Sequence, residues 1–296
     1  MQVKVIVLFI NVCLARYWGG NKHPKSSGPI DTVDAIKSRE RAAFSKAPEA
    51  LVDEIKEYVS FAALPYCENH SKLAETARQY TIVRSLKRQI HAFIFVSKKL
   101  KRIIIGFRSA DDLIRGMWNY GDKKVNLLNV PGPKVNSIAQ EAILAIYKPL
   151  LKAVSELRVY QNYPLVLVGH SVGGAIATLS APIIAQYLNI RPKAIRIVTF
   201  NQPRVGDESF TNYYNNLNFN FTRVVNKDDP VPSYPSHTDN WSHVHREVFI
   251  NDDNSFFLCS NQTLEDPSCS FKKSNFVAFL YRHSKIADFT IDHTCQ

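Results

Sequence analysis

No stretch of this 296-residue sequence is apolar for long enough to cross a bilayer, which takes about twenty such residues in a row. The first apolar run, Val5 to Leu14, is about half that length. Cysteine is scarce: there are five, none in a C-x-x-C pair, which argues against a zinc site. Lys and Arg outnumber Asp and Glu, 37 to 26, for a net charge of +11, yet no Lys/Arg block dominates. A basic balance could suit nucleic acid, an anionic membrane surface or an acidic polymer. Dispersed in this way it reads as a solvated surface, with no nucleic-acid partner. There is no internal repeat. The apolar share of 45% excludes a chain disordered throughout and suffices for a sizeable core, in one large domain or two small ones.

Residues 1–15 read as a secretory signal. Lys4 is the positive start, Val5 to Leu14 the apolar stretch, and Cys13-Leu14-Ala15 a small-x-small cleavage site. The alternative is a buried N-terminal strand. On the signal reading the chain is exported, carries +10, and keeps Cys67, Cys259, Cys269 and Cys295. Four cysteines suit two disulfides. Cys259 with Cys269 closes a short loop, Cys67 with Cys295 ties an early element to the C-terminus, and other pairings stay open. Asn69, Asn220, Asn240 and Asn261 begin glycosylation sequons, Asn220 at the head of an apolar run.

Residues 16–48 are polar and broken by Gly and Pro, and read as a linker or propeptide ahead of one domain, residues 49–296. Leu51, Ile55, Val59 and Ala62-Ala63 predict a helix ending near Ala63. Ile90 to Val96 and Arg102 to Phe107 predict two strands, the second central and covered on both faces. Ile138, Ala142, Ile143, Ile146, Leu150, Leu151, Val154 and Leu157 share a helical face between about Asn136 and Leu157. Further strands are expected at Leu165–Val168, Ala194–Phe200, Phe221–Val225 and Glu247–Ile250. Alternation of buried strands with helices predicts an α/β fold, a mostly parallel sheet wrapped on both faces.

The chain is organised around Gly169-His170-Ser171-Val172-Gly173-Gly174, set between an apolar strand and a run of small and apolar residues. This is the strand–turn–helix context that gives G-x-S-x-G its meaning: the serine sits at the apex, in a strained backbone conformation. A side chain at 169 or 173 would collide with the neighbouring strand or helix. A serine hydroxyl needs a base to take its proton and an acid to orient that base, following in the order Ser, Asp or Glu, His. Asp229, after a buried strand and before Pro230, is the expected acid, with Asp228 the competitor. His293 is the expected base, held near the terminus by Cys295. His283 is the principal alternative, ahead of His237, His243 and His245. The oxyanion donors are expected to be the backbone N–H of Val172 and one from the loop after Phe107.

These pieces resemble the class 3, fungal-type triacylglycerol lipase family of α/β-hydrolases. The likeness rests on Val168 to Gly174, Thr199-Phe200-Asn201-Gln202-Pro203-Arg204-Val205-Gly206, Asp229-Pro230-Val231-Pro232 and Asp292-His293, and covers roughly residues 50–296. It implies hydrolysis of acylglycerol esters by Ser171, Asp229 and His293, with Val172 and Ala110 as oxyanion donors and no metal or organic cofactor. It also implies a lid at Asp111 to Trp118 that opens at a lipid surface; the exported protein is expected to meet its lipid or ester substrate there as a monomer. The chain departs from the family in three places. Phe107-Arg108-Ser109-Ala110 replaces F-R-G-[S/T], Asn201 replaces the usual Gly before Gln202, and only Thr294-Cys295-Gln296 follows His293. Two other functions are compatible with the same residues: an esterase for soluble esters such as feruloyl esters, and a catalytically weak hydrolase fold that binds lipid or a host surface.

Overall fold

The computed structural model describes residues 45–66, 80–85, 90–108, 123–160, 162–260, 265–270 and 283–291. The chain divides into two units, Met1–Glu40 and Arg41–Gln296, and the described residues all lie in the second. The expected signal at 1–15 and lid at 111–118 fall outside the described residues, as do Ser109, Ala110, Cys67, Asp292, His293 and Cys295.

A nine-stranded sheet runs in the order β1 (Ser45–Lys46), β11 (Phe256–Leu258), β10 (Glu247–Ile250), β9 (Asn220–Asn226), β8 (Ile195–Phe200), β7 (Leu165–His170), β4 (Arg102–Arg108), β3 (Ile90–Ser97) and β2 (Tyr80–Ser85). The five strands from β10 to β4 are mutually parallel. Two antiparallel strands close the sheet on either side. Because β1 pairs with β11, sheet structure begins at Ser45, a few residues before the domain start expected at residue 49.

Among the described residues four helices cover the sheet: α1 (Glu49–Ala63), α2 (Ser137–Tyr160), α3 (Val172–Tyr187) and α4 (Glu208–Asn216). The central strands β4, β7 and β8 are mostly apolar, and successive side chains alternate between the two faces. Ile103, Ile105 and Phe107 of β4 and Leu165 and Leu167 of β7 enter one core, with Ile143, Ile146 and Val154 of α2 and Ile176 and Leu179 of α3. Ile104, Val166, Val168, Val198 and Phe200 enter a second core on the other face, with Ile55, Tyr58, Val59 and Ala62 of α1. Each such side chain stabilises the fold by about 1.5–3 kcal/mol on burial. Arg196 is the exception inside β8. It points to the α1 face, where its guanidinium holds the Glu54 carboxylate at 2.7 Å and donates to Thr222 Oγ1 at 2.9 Å.

Two elements follow no long-range periodicity. A small hairpin, β5 (Lys124–Asn126) with β6 (Lys134–Asn136), is tied on through bridges from Val135 to Gly206 and from Gly206 to Ser242. α4 is started by Asp207, whose carboxylate accepts from the Phe210 N–H at 2.8 Å. A last hairpin, β12 (Lys285–Ile286) with β13 (Phe289–Thr290), carries His283 at its base. Cys259 and Cys269 are joined by a disulfide.

Candidate active site

The turn between β7 and α3 holds Ser171 at φ 56°, ψ −130°. A non-glycine residue in that region costs on the order of 1–3 kcal/mol, so its surroundings must impose it. They do so through the Ser171 N–H, which donates to the Phe200 carbonyl at 2.9 Å, and the Ser171 carbonyl, which accepts from Gly174 at 2.9 Å. The two flanking glycines clear the space. A Cβ on Gly169 would overlap the carbonyl of Gly173 in the helix, and one on Gly173 would overlap the carbonyl of Phe107 in β4. The collision expected from the sequence thus has named partners, helix for one glycine and strand for the other.

Ser171 is 1% exposed, and its Oγ has no hydrogen-bond partner among the described residues. Val172 opens α3, so its N–H is one of the first-turn donors that no helical carbonyl can satisfy. That amide and the positive end of the helix lie beside Ser171 and favour negative charge there. The second expected donor, Ala110, lies outside the described residues. The strand that leads toward it is locked beside the turn: Phe107 pairs in register with Gly169, and Arg108 donates to the Pro65 carbonyl at 3.2 Å.

Asp229 stands in the turn after β9, at the same carboxyl end of the sheet. Its N–H donates to the Asn226 carbonyl at 3.2 Å, and its Oδ1 accepts from the Val231 N–H at 2.9 Å, which aims the other oxygen. That oxygen, Oδ2, lies 2.8 Å from Nδ1 of His283. The Asp229 side chain is fully buried and that of His283 is 12% exposed. Asp228, the competing acid, is the more exposed of the pair.

The histidine is where the structure and the sequence expectation part. His293 lies outside the described residues, and the Asp229 carboxylate is engaged by His283, the alternative. His243 does not compete: it is buried elsewhere, with Nε2 donating to the Pro232 carbonyl at 2.7 Å. Burial above all, then the charges of Arg223 and Arg204, hold its imidazole well below the usual range.

Two motif residues act through the loops that frame the site. Gln202 Oε1 accepts from Thr178 Oγ1 of α3 at 2.8 Å, pinning the loop after β8 to the helix behind Ser171. Arg204, buried, pairs with Glu265 at 2.5 Å and donates to the Ser233 and Pro235 carbonyls. It thereby braces the segment that leaves Asp229. Asn201 adopts φ 47°, the left-handed conformation that asparagine tolerates, which accounts for its standing where a glycine is usual.

Among the described residues, Glu247, Cys259 and Cys269 bring their donor atoms within 4.8 Å of one another. The two sulfurs are spent in the disulfide, and the Glu247 carboxylate accepts from Arg223 at 2.6 Å and from the Ser270 N–H at 3.0 Å. This cluster is a structural ion pair beside a cross-link.

Comparison with known proteins follows the same lines. The family model for class 3 lipases matches residues 103–238. Over 277 residues the chain is 26% identical to a lipase of Rhizopus niveus, covering 87% of this chain and 69% of that protein. It is 28% identical over 167 residues to the secreted mono- and diacylglycerol lipase 1 of Fusarium solani, covering 55% of this chain and 48% of that one. The solved triacylglyceride lipase of Rhizomucor miehei superposes with a TM-score of 0.76 at 23% identity, over 86% of this chain and all of that one. The fold is that of the α/β-hydrolases.

Proposed function

The chain belongs to the class 3 lipase family and is a carboxylic ester hydrolase; we propose that it cleaves acylglycerol esters with Ser171 as nucleophile, His283 as base and Asp229 as the orienting acid. One observation carries the assignment of the base: the 2.8 Å contact between Asp229 Oδ2 and His283 Nδ1. A carboxylate can only accept, so Nδ1 carries a proton, and in the neutral ring that leaves the lone pair on Nε2. That is the tautomer a general base needs.

The reaction then proceeds in two halves. Ser171 Oγ attacks the ester carbonyl carbon while His283 takes its proton, and the imidazolium formed is stabilised by Asp229. The oxyanion is held by the Val172 N–H at the head of α3. Collapse of the intermediate expels the alcohol, which receives the proton from His283 and leaves an acyl group on Ser171. Water, deprotonated by the same imidazole, releases the fatty acid and restores the hydroxyl. A buried serine at a strained apex is pre-positioned for the attack that forms the acyl-enzyme.

The test uses a fluorophosphonate and tributyrin on the purified protein. Labelling at Ser171, with hydrolysis that His283→Ala abolishes and His293→Ala leaves intact, is the expected result. Turnover retained in His283→Ala returns the base to another histidine, and a protein that neither labels nor hydrolyses is no enzyme. Secretion belongs to the same proposal. It is supported by the signal-like residues 1–15, by the disulfide and by the Fusarium relative described as secreted. Among the described residues no helix is long and apolar enough to cross a membrane. Recovery of the protein from the medium of a secreting host, with a new N-terminus, is the matching measurement.

A further inference from the structure

His283 heads a hairpin of two-residue strands, too short to position an imidazole by main-chain pairing alone. What holds it is a row of polar side chains at the carboxyl ends of three neighbouring parallel strands. His170 ends β7, Asn201 directly follows β8, and Asn226 ends β9; all three are buried. His170 Nε2 lies 2.7 Å from the carbonyl oxygen of His283. Asn201 Nδ2 donates to that same oxygen at 3.2 Å and to the Lys285 carbonyl at 3.4 Å. Asn226 Oδ1 accepts from the Ala287 N–H at 3.0 Å.

The polarity of each group is determined by its other partner. Asn201 Oδ1 accepts from the Asn226 N–H at 2.8 Å, so its Nδ2 must face the two carbonyls. His170 meets a carbonyl, so its Nε2 carries the proton. Burial first, and the charge of the neighbouring His283 second, hold His170 well below the usual histidine range, which keeps that imidazole neutral. The two rings lie 4.6 Å apart, centroid to centroid. Two donors therefore converge on one acceptor, the main chain of the residue that pairs with Asp229.

We propose that Asn201 and His170 are positioning residues that clamp the His283 carbonyl and so hold its imidazole in register with Asp229 and Ser171. The proposal rests on the reading of His283 as the base. Asn201 is the informative member, because it stands where the family usually has glycine, which has no side chain to donate. Its left-handed backbone means that glycine can replace it without strain.

The experiment compares wild type, Asn201→Gly, Asn201→Asp and His283→Ala on a soluble p-nitrophenyl ester, with active sites titrated by fluorophosphonate and thermal midpoints recorded. Asn201→Asp keeps the acceptor for the Asn226 N–H and exchanges the donor for an oxygen that repels the two carbonyls. Loss of alignment is expected to lower kcat about tenfold in both Asn201 variants, with KM changed less than about twofold and the rate of serine labelling falling in parallel. A His170→Phe change added to Asn201→Gly is expected to lower kcat further. Folded Asn201 variants with wild-type kcat and labelling rate overturn the proposal, as does a lowered thermal midpoint with unchanged kcat, which is the mark of a merely structural amide. If either variant fails to fold, the other decides. Turnover surviving in His283→Ala instead shows that the base was misassigned, so failure of that reading and failure of the clamp are separate results.

Discussion

The carbonyl oxygen of Phe107 occupies the space that a side chain on Gly173 would need. Strand β4 and helix α3 meet there without any intervening atoms, and the carboxyl end of β4 is thereby held against the serine turn. Gly173→Ala must push the two apart. The expected outcome is a loss of about 1–3 kcal/mol of stability, typical of overpacking, with a larger fractional loss of serine reactivity. Urea unfolding and fluorophosphonate labelling of the same preparation check both halves. Wild-type labelling in a folded variant would show that β4 does not help to form the site.

Asp229 does two things, accepting from Val231 with one oxygen and from His283 with the other. Asp229→Asn keeps the shape but offers an amide to His283, which favours the wrong tautomer. The expected loss in kcat is about 10⁴-fold, with KM little altered, and Asp228→Asn is expected to stay within about threefold of wild type. Steady-state kinetics on a soluble ester distinguish the two acids. Equal losses would mean that the carboxylates share the role.

The disulfide between Cys259 and Cys269 closes a short loop behind β10 and β11, with a sequence separation of 10. Limiting the unfolded chain by a loop of that size contributes about 2–3 kcal/mol. A Cys259→Ser/Cys269→Ser double variant is expected to lose that amount in urea unfolding and to keep kcat, since neither residue touches Ser171, Asp229 or His283. A drop in kcat at full folding would tie this loop to catalysis.

Two buried histidines, His170 and His243, are held well below the usual range, chiefly by burial. Above about pH 6.5 neither the folded nor the unfolded form takes up a proton at these sites, so they leave stability unchanged. Below that value the unfolded chain binds protons that the folded state refuses, and stability falls as pH falls, by up to about 1.4 kcal/mol per pH unit for each. Urea midpoints at about pH 8 and about pH 5.5 should show the decline, and His243→Gln should make it shallower. Parallel declines in the variant and the wild type would assign the slope to other groups.

Much of the frame was legible before any coordinates, and the reason is local. A short, β-branched apolar run with no alternation, bounded by turn residues, reads as a strand covered on both faces, and β4, β7 and β8 lie within a residue or two of their expected places. The broad helical face of α2 and the cluster that ends α1 at Ala63 are likewise statements about neighbours a few residues apart. The elements left unread include the β5–β6 hairpin, α4, β11 and the β12–β13 hairpin. Three-residue strands have no period to detect, and α4 depends on an Asp207 cap and on Phe210 and Tyr214 packing into a core built elsewhere.

The sequence by itself determined the serine turn, because the strain at Ser171 and the exclusion of side chains at Gly169 and Gly173 are short-range steric facts. It also singled out Asp229, shortly after a buried strand and just before Pro230, as the expected acid ahead of Asp228. Only the tertiary structure decided which histidine meets that acid. The contact spans 54 positions, and His283 sits in no motif and no periodic element. Its place depends on what His170, Asn201 and Asn226 offer at the ends of three strands. Those side chains converge only when the sheet has formed, so no local pattern around His283 could have announced it.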